Sequence, residues 1–151
     1  MNKYDFDNFD KNFDHASLVS DYEKAKKNEF ADVPFGKYEV YVHKMELVLS
    51  KKGDPMLTIW FKICAGPLKN SIVFYNQVVT TGIGLHSANE MMRQLAPNRN
   101  VEWVGNYRKY SEMIEEVFED ISKKYEYAIS YEETAKGYTK INVDEVFELE
   151  S

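Results

Sequence analysis

Cysteine is nearly absent from this chain of 151 residues. The one residue, Cys64, has no partner for an intramolecular disulfide and suits a reducing compartment. Histidine is scarce as well. His15, His43 and His86 show no metal-ligand spacing with one another or with Cys64, so neither a metal nor a cofactor is expected. No apolar run approaches membrane-spanning length, and the N-terminus has no signal-peptide apolar core, so no membrane partner and a cytoplasmic setting are expected. Gly82-Ile83-Gly84 lacks the further glycines and the Lys-Ser/Thr pair of a phosphate loop. With no recognisable nucleophile–base pair either, catalysis is not expected.

What the chain does have is aromatic residues, 15% of the total, within 44% hydrophobic residues. That proportion belongs to a folded domain rather than to a disordered chain. The three segments Lys37–Val42, Met56–Ile63 and Ser71–Val78 are extended runs separated by Gly/Pro turns, which predicts an antiparallel meander. In the second run Leu57, Ile59, Phe61 and Ile63 share the inner face, with Thr58, Trp60 and Lys62 outside. In the third, the alternation assigns Ile72, Phe74 and Val78 inward and Ser71, Val73, Tyr75 and Gln77 outward. In the first, Tyr38, Val40 and Val42 are out of phase with Met45, Leu47 and Leu49, and one extra residue near His43-Lys44 reconciles them as a β-bulge. Tyr41 and His43 then join Trp60, Lys62 and Tyr75 on an outer face of aromatics among lysines, a combination suited to stacking nucleic-acid bases.

The net charge of −6 is unevenly distributed. Residues 1–32 hold 5 basic and 8 acidic side chains (net −3), residues 33–100 hold 8 and 4 (net +4), and residues 101–151 hold 6 and 13 (net −7). The positive third contains the aromatic meander, and acidity lies at the two ends.

Outside the meander, Tyr4, Phe6, Phe9 and Phe13 have a spacing that suits one helical face. This acidic–aromatic arm packs on the domain, imitates nucleic acid or docks on a partner, or is disordered. Ser20-Asp21-Tyr22-Glu23 reads as a capping box opening a short helix through Lys27. Residues 80–84 read as a bend, and Ser87-Ala88-Asn89-Glu90 as a second capping box. Ala88, Met91, Met92 and Leu95 form one side of the helix that follows, which Pro97 ends. A loop over 98–106, anchored by Trp103, leads to an amphipathic helix carrying Tyr110, Met113, Ile114, Val117, Phe118 and Ile121. Tyr125, Tyr127, Ile129 and Tyr131 alternate as a fourth strand, and Tyr138 to Val143 form a fifth. Residues 144–151 are either a frayed strand end or an acidic tail that binds partners through Asp144, Glu145, Phe147, Glu148, Leu149 and Glu150.

Three strands, helices, then two strands is the element order of a five-stranded OB-type barrel, whose oligonucleotide site is the strand 2–3 face with the loops between strands 1–2 and 4–5. Here the domain would span residues 33–143, with an arm over 1–32. The loops are Ser50–Asp54, carrying Lys51 and Lys52, and Glu133–Gly137. The segments Pro34-Phe35-Gly36-Lys37-Tyr38-Glu39-Val40, Lys51-Lys52-Gly53-Asp54-Pro55-Met56-Leu57 and Gly66…Asn70…Phe74-Tyr75-Asn76 also resemble a phage-encoded family of small single-stranded DNA-binding proteins long catalogued as a domain of unknown function. The resemblance covers residues 33–79, and elsewhere extends only to the order of elements. It implies coating of single strands in replication or recombination, in the host bacterial cytoplasm, alongside phage or host proteins. The family's N-terminal lead is usually shorter and less aromatic than this one.

The expectation is therefore a non-catalytic single-stranded DNA-binding protein. Trp60, Tyr75 and Tyr41 would stack bases, while Lys44, Lys51, Lys52, Lys62 and Lys69 take phosphates and His43 contacts base or phosphate. The competing structural reading is that the N-terminal arm or a helix covers Trp60 and Tyr75, making this face more core. Two other functions also remain open. One is an acidic inhibitor of a host nuclease or defence complex, mimicking DNA with carboxylates along residues 107–124. The other is a homo-oligomeric or scaffold module using that helix or Phe147 and Leu149.

Overall fold

Five strands form one antiparallel sheet: β1 (Gly36–Leu49), β2 (Pro55–Ile63), β3 (Ile72–Val78), β4 (Tyr125–Glu133) and β5 (Thr139–Glu148). The computed structural model describes residues 6–30 and 32–149, with the backbone alone for residues 21 and 24–30. The spatial order is β3-β2-β1-β4-β5. This is the OB-type order, but the sheet is open, because β3 and β5 are its two edges rather than a closing pair.

The bulge in β1 makes the sheet bend. Val42 pairs with Phe61, then the register slips, and Lys44 pairs with Trp60 and Met45 with Ile59. The extra residue is His43, and it brings Val40, Val42 and Met45 into one core despite their mismatched parity. The start of β1 pairs with β4 and the remainder with β2, so β1 links the two halves of the sheet.

The parity of β3 is the reverse of the sequence expectation. Val73 is opposite Phe61 and almost fully buried, and Tyr75 is opposite Ile59 and packed on the core. Phe74 is opposite Trp60, on the outer face, and is 40% exposed. Ile72 to Tyr75 is an unbroken apolar and aromatic run, so alternation alone did not determine the phase of β3. Cross-strand pairing with β2 did.

Two helices connect β3 to β4 and cover the inner face. The first, α3 (Gly82–Leu95), starts earlier than expected. Its N-cap is Thr81, whose hydroxyl accepts from the Gly84 amide at 3.0 Å. Ser87 lies inside the helix. Gly84 is buried in the first turn, where a Cβ would lie 2.2 Å from the Val78 carbonyl oxygen, so glycine permits the helix to press on the end of β3. Ala88, Met91, Met92 and Leu95 are buried as expected. In the second, α4 (Tyr107–Ile121), Asn106 caps the Lys109 amide, and Tyr110, Ile114, Val117 and Ile121 face the core. The loop before it is anchored by Val101, fully buried, rather than by Trp103, which is 39% exposed against Tyr107 and Tyr110. The Tyr110 hydroxyl donates to Asn89 Oδ1 at 2.5 Å, tying α4 to α3, and the Tyr127 hydroxyl to the Leu95 carbonyl at 2.5 Å, tying α3 to β4.

Tyr125, Tyr127 and Ile129 of β4 face the core as read from their alternation. The strand β5 runs beyond its expected end at Val143. Glu145, Val146, Phe147 and Glu148 pair with Ala128, Tyr127, Glu126 and Tyr125, and the Leu149 amide bonds the Lys124 carbonyl. The segment 144–149 is therefore built into the sheet and is no loose tail; Glu150 lies outside the described residues.

The N-terminal arm forms α1 (Phe6–Asn12) and α2 (His15–Phe30). Asp14, not Ser20, caps α2: it accepts from the Ser17 amide at 3.0 Å and from its hydroxyl at 2.6 Å. These bonds lower the Asp14 pKa. Phe6, Phe9 and Phe13 are exposed, Phe9 stacking on Phe13 at 5.1 Å, so these three rings are not buried against the domain. Tyr4 lies outside the described residues.

Candidate nucleic-acid interface

The outer faces of β1, β2 and β3 carry cross-strand rows. One row is Tyr41, Lys62 and Ile72, the next Lys44, Trp60 and Phe74, the third Glu46, Thr58 and Asn76. Strand pairing sets these neighbours, since directly opposed side chains share a face. The middle row is continuous aromatic surface. The His43 ring lies 6.5 Å from Trp60 at 25°, Phe74 meets Trp60 edge-on at 5.3 Å, and Tyr41 meets His43 edge-on at 6.1 Å. His43 is exposed because the bulge turns it outward, and Trp60 is half-buried.

Lys44 lies across this row, its Nζ 4.5 Å from the centre of the Trp60 ring and 3.1 Å from Glu46 Oε1. Lys62 is part-buried between Tyr41 and Ile72. Lys51 and Lys52 are exposed in the β1–β2 turn, which Ser50 closes by bonding Asp54 and Gly53. Lys69 is exposed in the β2–β3 turn, beyond the other end of β2. None of Lys51, Lys52, Lys62 and Lys69 forms an ion pair with a described residue. At ~3.3 Å per residue, β2 separates the two turns by about 30 Å, so cations stand at both ends and in the middle of the aromatic face.

Of the expected stacking residues, Tyr75 alone is elsewhere. It points inward, where burial pushes its pKa up to about 12. Phe74 takes its place, and the signal that could have found it was the hairpin register with Trp60. The structure brings Tyr41, His43, Lys44, Trp60 and Lys62 together, and leaves Lys51, Lys52 and Lys69 on the flanking turns.

Towards β4 the outer face changes character. Burial raises the Cys64 thiol pKa, Glu126 and Glu39 raise it further, and its own backbone amide and Lys69 partly oppose them. Burial likewise raises the Tyr41 phenol, with Cys64 adding to it. Cys64 is thus held as a thiol, not as a nucleophilic thiolate. Asp144, Glu145 and Phe147 lie on β5, where the Ser130 hydroxyl donates to Asp144. Phe147 and Leu149 are each 40% exposed.

A five-stranded antiparallel sheet in OB-type order, left open between β3 and β5 and backed by two helices, defines the class of fold. Within that class, the chain belongs to the family described as "Protein of unknown function (DUF669)", whose pattern matches residues 20–144. No curated protein matches it. Among the described residues, no helix is long and apolar enough to cross a membrane.

Proposed function

We propose that the protein binds single-stranded DNA, without catalysis, on the outer face of β1, β2 and β3. The observation that carries this reading is the His43–Trp60–Phe74 row with Lys44 and Lys62 beside it. Aromatic rings accept any base on their faces, and lysines neutralise the backbone without reading sequence, so binding is sequence-tolerant and weakened by salt.

The ammonium of Lys44 now covers part of Trp60, and magnitudes decide whether a base can replace it. An exposed cation–π contact contributes about 0.5–1 kcal/mol, and the exposed Lys44–Glu46 pair about 0.2–1 kcal/mol. A stacked base contributes about 1–3 kcal/mol, and Lys44 gains a phosphate when it swings aside. Stacking wins, with Lys44 as a displaceable cover that keeps Trp60 from solvent between strands. Coating of strands exposed in phage replication or recombination, in a bacterial cytoplasm, is the setting that the family resemblance supports.

The DNA-mimic reading is weaker. It relies on the exposed carboxylates of α4, yet Arg99 reaches both Glu116 and Asp120 at 3.7 Å and partly neutralises them. Tryptophan emission of a Trp103→Phe protein titrated with single-stranded or duplex DNA tests the proposal. Single strands should change Trp60 emission at lower concentration than duplex; an unchanged signal with both would contradict it.

A further inference from the structure

Where β3 and β5 fail to close the barrel, α3 bridges them and a cleft of about 380 Å³ remains. Phe74, the last ring of the aromatic row, also lines this cleft, so the outer face runs over the β3 edge into it without a break. Its walls mix polar and apolar surface in about equal parts, and the one carboxylate among them, Glu90, is paired with Arg93. Asn76 comes from β3, Ser87 and Gln94 from α3, and Lys140 from β5, with Tyr75 at its inner side.

These groups are short of partners. Tyr75, Ser87, Gln94 and Lys140 form no side-chain hydrogen bond or ion pair with a described residue. No buried side-chain polar atom among the described residues lacks a partner, so the unbonded Tyr75 hydroxyl reaches open space. Asn76, on the outer face at the rim of the cleft, accepts from the Thr58 hydroxyl through its Oδ1 at 2.7 Å, and its amide NH₂ has no bond to a described residue. Converging donors and acceptors beside an aromatic platform are what a base edge needs for recognition, and a cation at the rim is what its phosphate needs.

We infer that this cleft holds one unstacked nucleotide of the strand bound on the Trp60–Phe74 face, its base edge bonded by Tyr75 and Gln94 and its phosphate by Lys140. The inference rests on the proposed DNA-binding face and adds to it a place where base identity matters. Stacking tolerates every base; hydrogen bonds to a fixed set of donors and acceptors do not. An added extended peptide strand is the rival occupant, but the amides, hydroxyls and lysine offer few apolar pockets for alternate side chains.

The test is anisotropy titration of the full chain with labelled dT, dC and dA oligomers, using wild type, Trp60→Ala, a Tyr75→Phe/Gln94→Ala double variant and Lys140→Ala. Wild type should separate the preferred from the least preferred homopolymer by about tenfold, the scale of one or two hydrogen bonds. The double variant should bring them within about twofold, while Trp60→Ala weakens all three in parallel. Lys140→Ala should reduce the salt slope by about 0.7, the loss of one phosphate contact. If the cleft variants match wild type on every oligomer while Trp60→Ala binds weakly, the cleft assignment fails and the stacking face stands. If wild type binds none of the three oligomers, both fail together.

Discussion

At the scale of single residues, Trp60 and Phe74 form the centre of the site. Removing one stacking ring should cost about 1–3 kcal/mol per lost base contact, or roughly 5- to 150-fold in affinity. Phe74→Ala should therefore weaken oligo-dT binding in that range, whereas Ile83→Ala, at an 84% exposed position on α3, should leave it unchanged. Equal losses in the two variants would argue against a localised aromatic platform. A different residue-scale effect concerns Asn89 and Tyr110, which share a buried hydrogen bond. Tyr110→Phe leaves the Asn89 amide oxygen without its donor, and should lower unfolding free energy by about 1–3 kcal/mol in urea titrations. Trp60 was legible in the sequence because it alternates with Leu57, Ile59, Phe61 and Ile63, which need a core. Phe74 was not, because its own neighbours are as hydrophobic as it is.

At the scale of elements, legibility followed the strength of the pattern. The amphipathic period of α4 and the tyrosine alternation of β4 each have one polar and one apolar side, and both took the form read from them. The bulge in β1 was visible as a parity break that only an inserted residue repairs. The start of α3 was hidden by Gly82 and Gly84, which look like helix breakers until close packing on Val78 gives Gly84 a reason. Gly84→Ala should thus destabilise by about 1–3 kcal/mol through overpacking, readable as a lower urea midpoint, although alanine favours helix. A midpoint at or above wild type would show that the contact relaxes freely. The last part of β5 was obscured because carboxylates and apolar residues are mixed there without a clean alternation, on an edge strand where charge serves to block further pairing. The open seam between β3 and β5 left no trace in the sequence, since closure depends on how far the bent sheet curls.

At the scale of the whole molecule, charge and burial set the response to solution conditions. Burial raises the pKa of Tyr75 to about 12 from 10.0, and those of Tyr110 and Tyr127 also move up, desolvation being the leading cause for each. The unfolded chain therefore loses these protons first as pH rises, and the folded state falls behind. Their contribution to stability is complete below pH 10 and declines from about pH 10 upward, over the window to pH 12 for Tyr75. Urea midpoints should be flat with respect to these tyrosines between pH 7 and 9 and drop above pH 10. A midpoint that stayed constant to pH 12 would mean the tyrosines are not buried as described.

The same scale holds the account's main claim, that a chain of net charge −6 binds a polyanion through one locally basic, aromatic face. The direct measurement is oligo-dT affinity of wild type and Trp60→Ala across a salt series. With Lys44, Lys51, Lys52, Lys62 and Lys69 on phosphates and Lys140 adding one more at the cleft, the wild-type plot of log K against log salt should fall with a slope of about −4. Trp60→Ala should run parallel below it, because stacking is lost while the phosphate contacts remain. Coincident lines for the two proteins, or no affinity in either at low salt, would contradict the account.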